Sequence, residues 1–132
     1  MVQQRNGKPM VLVADDDEDQ RYLMGRLLQR AGFETVLVDR GDRVLSVAHT
    51  ASPDVILLDV QMPGLDGFTT CRQLKDDPRL AAVPVLFLSG RMDERDRRAA
   101  LEAGADDYLS KGIDARELVR RVQQLARPNG DA

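Results

Sequence analysis

The sequence predicts an α/β domain, a doubly wound sheet of five parallel strands with helices on both faces. Three observations carry that reading. Short apolar runs recur at a steady interval, at residues 10–14, 35–38, 55–58, 85–88 and 108–109. Those at 10–14, 55–58 and 85–88 are nearly all apolar and do not alternate, the pattern of strands covered on both faces. Amphipathic segments lie between the runs, and short right-handed crossovers then build a parallel sheet wrapped by helices.

The first run, 10–14, is followed by the acidic residues Asp15 to Asp19. Leu23, Met24, Leu27, Leu28 and Ala31 then fall at helical spacing, and Gly32 supplies a stop. After the second strand, Val47 and Ala48 precede His49, which is expected on a surface helix with no catalytic role. The third strand, Val55-Ile56-Leu57-Leu58, is the most apolar run of the chain and ends against Asp59. Cys71 belongs to the next helix as a small core or groove filler, since no His or second Cys lies near it in sequence. The fourth strand leads to Ser89 and Gly90, and Asp93 caps the helix through Ala99, Ala100 and Leu101. The fifth strand leads to Lys111. Asp114 and Glu117 form a capping pair for the last helix, whose apolar stripe is Leu118, Val122 and Leu125. Phe33, Phe68 and Phe87 read as core or groove packing rather than as a base-stacking platform.

One domain suffices for 132 residues, and 42% hydrophobic with 31% charged residues is ordinary for a globular chain. Residues 1–9 and 127–132 are polar with Gly and Pro, so the domain is expected over 10–126, between a flexible N-terminal tail and a C-terminal tail or linker. A net charge of −3 gives no global signal for nucleic acid or a bilayer surface, and partners of either kind are not expected. A single cysteine excludes an intrachain disulfide. With no secretory apolar region at the start, a cytoplasmic location is the expectation.

In a doubly wound sheet, function gathers outside the carboxyl ends of the strands, where the strand order reverses. The residues standing there are Asp15 and Asp16, Asp59, Ser89 with Gly90, and Lys111. A switch point between the first and third strands would bring Asp15, Asp16 and Asp59 together. Three carboxylates in one pocket repel, and a proton or a cation must relieve them. An all-oxygen cluster without His or Cys selects a hard ion, magnesium before zinc or copper. A lysine and a hydroxyl on the same edge offer a phosphoryl group a positive charge and a hydrogen-bond donor. The set suits phosphoryl transfer onto a carboxylate, where positioning and charge stabilisation do most of the catalysis. Taken singly, each piece has a plainer reading: an acidic helix start, a Ser-Gly turn, a solvated lysine. Four strand ends carrying the required chemistry together argue against those readings.

Four stretches, VLVADDDEDQR, PDVILLDVQMPGLDGF, VPVLFLSG and AGADDYLSK, resemble the receiver (CheY-like) domain of two-component response regulators, over about residues 9–125. The resemblance implies a flavodoxin-like (βα)5 fold with strand order 2-1-3-4-5. It implies Asp59 as phosphoacceptor and a magnesium site (manganese as substitute) from Asp15, Asp16, Asp59 and the backbone carbonyl of Gln61. Asp16 would bind the ion directly, and Asp15 largely through water. Ser89 and Gly90 would receive the phosphoryl oxygens, Lys111 would pair with them, and Tyr108 matches the aromatic switch position. Gln61 and Arg91 match the two positions that tune phosphoryl lifetime. Asp17, Glu18 and Asp19 take no family role and read as cap and solvent-facing residues. The implied donor is a histidine kinase or a histidine phosphotransfer protein. The implied output is a rearranged face of the fourth helix, fifth strand and fifth helix, read by an effector protein or an attached output domain, or by homodimerisation on phosphorylation. Such a domain is a signalling module that promotes only its own aspartyl phosphorylation and dephosphorylation, not an enzyme with a separate substrate.

The physics of a switch is consistent with this. A phosphoryl group brings about −1.5 to −2 charge and three strong acceptors. It would draw in the Ser89 hydroxyl and the Gly90 N–H, and Tyr108 could fill the space vacated. The fourth helix carries Arg95, Arg97 and Arg98, which read either as a partner patch or as an ordinary solvated face. One departure stands out. The family usually has Pro after its lysine, in a cis bond, whereas Gly112 follows Lys111 here, and a trans bond is expected. Two rivals remain at this point. A haloacid-dehalogenase-type phosphatase could use Asp15 and Asp17 as its Asp-x-Asp pair, although this leaves Asp59 unexplained. A receiver that signals without phosphorylation would keep the fold and lose the chemistry. A flavodoxin-type cofactor binder would need a phosphate-cradling loop, and the acidic first turn would repel phosphate.

Overall fold

The computed structural model describes residues 7–90 and 93–126. Five parallel strands form one sheet: β1 (Met10–Ala14), β2 (Glu34–Val38), β3 (Val55–Asp59), β4 (Val85–Ser89) and β5 (Asp107–Ser110). Their order across the sheet is β2-β1-β3-β4-β5. The helices between and after them are α1 (Glu18–Arg30), α2 (Val44–Ala51), α3 (Gly67–Asp76), α4 (Glu94–Glu102) and α5 (Ala115–Ala126), with a 3-10 turn, Gly41–Arg43, ahead of α2.

The uninterrupted apolar runs follow from this layering. Successive strand residues face opposite sides. Leu12, Ala14, Ile56, Leu58, Val85 and Phe87 pack with Val44, Ala48, Cys71, Leu74 and Ala100 of α2, α3 and α4. Val11, Val13, Val55, Leu57, Leu86 and Leu88 pack with Leu28 of α1 and with Leu118 and Val122 of α5. Both faces are dry, so neither set of positions tolerates a polar residue. The order reverses between β1 and β3, whose carboxyl ends stand side by side with Ala14 opposite Leu58. That crevice is where the topology places a site.

Helix starts follow the sequence cues in part. Asp17 caps α1, accepting from the N–H groups of Asp19 and Gln20. Asp66 caps α3 and Asp93 caps α4. Asp114 accepts from the Arg116 N–H at 3.1 Å, as expected, but Glu117 does not complete a capping pair. Its carboxylate is bonded to Arg120 and Arg121, one turn on, because a guanidinium offers a stronger charge-assisted partner than a backbone amide.

Two further expectations need correction. Leu23 is 61% exposed rather than part of the α1 stripe, which Met24, Leu27 and Leu28 supply. His49 is half-buried rather than on an open surface, and its Nε2 lies 2.7 Å from Asp77 Oδ2 at the end of α3. Cys71 is fully buried, with Sγ 3.4 Å from the Ala103 carbonyl oxygen, and burial pushes its thiol up to about 11. Phe33 and Phe87 are core residues, and Phe68 packs against Phe87 at 5.4 Å between ring centres. The Lys111–Gly112 bond is trans. Of the expected tails, residues 1–6 and 127–132 lie outside the described residues, as does Arg91. Among the described residues, no helix is long and apolar enough to cross a membrane.

Candidate functional site

Asp15 follows the last residue of β1, and Asp59 is the last residue of β3. Asp59 belongs to an apolar strand and Asp15 directly follows one, so both stay in the crevice, with only 7% of Asp15 and 8% of Asp59 exposed. Asp16, one residue further on, is exposed. Oxygen atoms from the three carboxylates lie within 4.8 Å of one another. The sequence expectation that these residues converge is therefore met in geometry.

Lys111, just past β5, reaches over the end of β4 into the same crevice. Its Nζ stands 3.3 Å from Asp15 Oδ2 and 3.3 Å from Asp59 Oδ1. The other oxygen of Asp15 accepts the Asp17 N–H at 2.9 Å, and the Asp15 carbonyl accepts from Arg21 at 2.9 Å. The Asp15 side chain is thus fixed on both oxygens.

The electrostatics follow from this crowding. Burial pushes the Asp59 carboxyl up to about 6, and the Asp15 and Asp16 charges add to the rise against the opposing pull of Lys111. For Lys111, burial works against the charged form, yet the Asp59 and Asp15 carboxylates outweigh it and hold the ammonium above its ordinary value. Among the described residues, the Lys111 ammonium is the cation paired with these carboxylates, and one positive charge against three negative ones leaves the crevice short of positive charge. Hard oxygen donors that are close, partly desolvated and under-neutralised suit a hard divalent ion. The residues present therefore fit a magnesium-type site.

The crevice opens into a cleft of about 430 Å³ lined by Asp16, Asp17, Asp59, Val60, Gln61, Ser89, Gly90, Asp96 and Lys111. At roughly 30 Å³ per water, this accommodates a hydrated ion and a phosphoryl-sized group together. Ser89 ends β4 and is buried to 4% exposure, while Gly90 beside it is open to solvent. Tyr108 sits on β5 with 5% of its surface exposed, its ring centre 6.4 Å from that of Phe87. The described residues expected at the site line the cleft or pair across it, except Tyr108, which packs in the core against Phe87.

Three features were not anticipated from the sequence. Asp96 lines the cleft from the first turn of α4, where a rule confined to strand ends does not look. Asp17 caps α1, as one of the residues read as cap and solvent-facing, and it also lines the cleft, which was not expected. Lys111 already bridges two carboxylates, whereas the sequence suggested only a phosphoryl partner.

Comparison with known proteins gives a consistent answer. The family profile described as "Response regulator receiver domain" matches residues 11–123. The transcriptional regulatory protein GltR of Pseudomonas aeruginosa is 41% identical over 122 residues, 92% of this chain and 50% of that protein. The response regulator PleD of Caulobacter vibrioides is 43% identical over 117 residues, 89% of this chain and 26% of that protein. The chain thus spans about half the length, or less, of these relatives. A solved structure is also similar, that of the receiver domain of the sensor histidine kinase PA1611 from Pseudomonas aeruginosa PAO1, "with magnesium ion coordinated in the active site cleft". It has a TM-score of 0.84 and 28% identity, and the match covers 91% of this chain and 98% of that one.

Proposed function

Because this chain belongs to the response regulator receiver family, the signalling modules of two-component systems, we propose that Asp59 is its phosphoacceptor and that Asp15, Asp16, Asp59 and the Gln61 carbonyl hold magnesium. The observation that carries this reading is the crevice itself, where Lys111 spans Asp15 and Asp59 at 3.3 Å each with Asp16 alongside. The magnesium reported for the PA1611 receiver supports the same assignment here.

The chemistry then runs as a displacement at phosphorus. A carboxylate oxygen of Asp59 forms the new P–O bond while the P–N bond of a phosphohistidine breaks, and the electron pair stays on the imidazole nitrogen. A divalent ion, when bound, neutralises the carboxylates and the transferring phosphoryl oxygens. Lys111 exchanges one carboxylate partner for a phosphoryl oxygen, and the Ser89 hydroxyl and Gly90 N–H donate to others. Ser89 held in this way favours the buried position that Tyr108 occupies here, so phosphorylation raises the population of that position and the α4–β5–α5 face follows. The donor is a histidine kinase or a histidine phosphotransfer protein in the cytoplasm. The partner that reads the signal is an effector protein, an attached output domain or a second phosphorylated copy. Gln61, which lines the cleft, and Arg91, by its place in the sequence alone, set how fast water removes the phosphoryl group.

Acetyl phosphate with magnesium tests the assignment. One acid-stable but base-labile phosphoryl group per chain is expected, absent in Asp59→Asn. Asp16→Ala should weaken magnesium binding at least about tenfold. Equal labelling of Asp59→Asn would remove the phosphoacceptor assignment, and continuous turnover of the donor would instead favour a phosphatase.

A further inference from the structure

The loop that begins at Gln61 is gripped by the chain that follows β2. At its base, the Gly67 N–H donates to the Val60 carbonyl at 2.9 Å, which closes residues 61–66 into a loop. At its tip, the Gly41 N–H donates to the Pro63 carbonyl at 3.1 Å. Gly41 is buried, and the approach there is backbone to backbone. A Cβ at Gly41 would stand 1.8 Å from the Leu65 carbonyl oxygen, 2.8 Å from its carbon and 3.0 Å from Thr70 Oγ1. No rotamer change relieves a clash with a main-chain carbonyl, so the loop itself would have to withdraw.

A second contact holds the other side of the same loop. Gly64 adopts a left-handed φ of +83°, and a Cβ there would lie 2.6 Å from Asp42 Cγ and 2.8 Å from Arg40 Nη2. Arg40 and Asp42 face each other side-on through two bonds of 3.0 and 3.1 Å. The pair is solvent-exposed and contributes little stability. Its planar guanidinium–carboxylate surface nonetheless lies directly over Gly64, so it acts as a stop rather than as an anchor.

We infer that the Arg40–Gly41–Asp42 turn is a positioning device for the Gln61 carbonyl, so that the divalent-ion affinity of the Asp59 cleft is set in part from the start of α2. This rests on the proposed reading of the cleft. Asp15 and Asp59 are placed by strands, but Gln61 is placed only by its loop, and this turn fastens the loop. Reactive geometry is sensitive at this scale, since a misplacement of about 1 Å costs up to a hundredfold. A methyl group at Gly41 demands a shift of about that size, because carbon–oxygen approaches below 3.0 Å are essentially never seen.

The experiment is a magnesium titration of the folded protein followed by amide NMR, on wild type, Gly41→Ala and Asp42→Ala. Phosphorylation by acetyl phosphate is measured in parallel at limiting and at saturating magnesium. Gly41→Ala should bind magnesium about fivefold more weakly or worse, and Asp42→Ala more weakly by a smaller factor. Both should lose phosphorylation rate at limiting magnesium and recover it at saturation, a split that general destabilisation would not produce. Wild-type affinity in both folded variants, or a rate loss that saturating magnesium does not restore, would overturn the inference. If Gly41→Ala does not fold, Asp42→Ala decides on the same criteria. If the wild type binds no magnesium, the reading of the cleft fails first, and the metal-free spectra then decide the positioning role. Shifts at residues 61–66 in the variants would support it, and shifts confined to α2 would overturn it.

Discussion

Asp59→Asn should make the metal-free protein more stable at neutral pH. Asp59 has a carboxyl pushed from an ordinary 3.8 up to about 6 by burial and by its acidic neighbours. The folded state therefore binds this proton more tightly than the unfolded state. Its contribution is fully favourable below pH 3.8 and is lost as pH rises through about 6, so above that the ionised group works against folding. At 1.36 kcal/mol per pH unit, the cost at pH 7 is about 3 kcal/mol. Asparagine keeps the shape and carries no charge, so it should recover about 2–3 kcal/mol, less what Lys111 loses with one of its two partners. Urea unfolding in a chelator at pH 7 and pH 4.5 reads the difference. The gain should shrink to about 1 kcal/mol at pH 4.5, where most of the native carboxyl is already protonated. Magnesium should narrow the gap. Ion at one hundred times its dissociation constant adds about 2.7 kcal/mol to the wild type, and Asp59→Asn should gain less. An asparagine variant no more stable than wild type at pH 7 in chelator would mean that Asp59 is not crowded and desolvated as described. A gain that is the same at both pH values would refute the electrostatic origin.

Lys111→Met should bind magnesium several-fold more tightly than wild type, because it removes an ammonium that competes for Asp15 and Asp59. The same variant should lose the phosphorylation-dependent change at Tyr108, followed by its ring resonances, and a weaker magnesium affinity would contradict the competition. Cys71 should resist a thiol reagent in the native state and react once the chain is unfolded. It is fully buried and its thiol is held near 11. Rapid native labelling would show that the α3–α4 side of the core opens far more readily than its packing implies.

The legibility of the fold came from depth, and its misreadings came from competition at the edges. Runs such as Val55-Ile56-Leu57-Leu58 could be read because both faces of the strand are covered, and chemistry at their ends stood out against them. The strand limits were set one residue short at Asp59 and Ser89. A polar side chain looks like the start of a loop, yet the ladder continues with Asp59 opposite Leu88 and Ser89 opposite Ser110. Leu23 has the right helical spacing but lies at the rim of the α1 stripe, which periodicity alone does not separate from its centre. Glu117 was assigned to a cap from its offset to Asp114, and two arginines one turn away captured it. Asp15, Asp16, Asp59 and Lys111 were found because each follows an apolar run. Asp96 was not, because it enters the cleft from a helix, and the grip of Gly41 on the loop bearing Gln61 leaves no mark in a single sequence.

The charge balance of the crevice also limits what can complete it. Asp15 and Asp59 are fixed by strands whose other residues cannot leave the core, so the carboxylates cannot relax apart. At pH 7 a proton no longer resides on a group whose carboxyl titrates near 6. Lys111 offers one positive charge against the three of Asp15, Asp16 and Asp59, a deficit that one divalent ion removes and one monovalent ion does not. With that ion in place, a phosphoryl group on Asp59 would again add negative charge, about one unit beyond the carboxylate it modifies. The groups left to meet it are Lys111, freed from a carboxylate, and the donors at the end of β4, Ser89 and Gly90. If Asp59 is phosphorylated as proposed, the phosphoryl group would pull on the end of β4, and Phe87, two strand residues inside Ser89, already faces Tyr108 across the β4–β5 pair. Under that proposal, β5 and its neighbours would be the first part of the surface to respond, for reasons of charge and connectivity that need no knowledge of the partner.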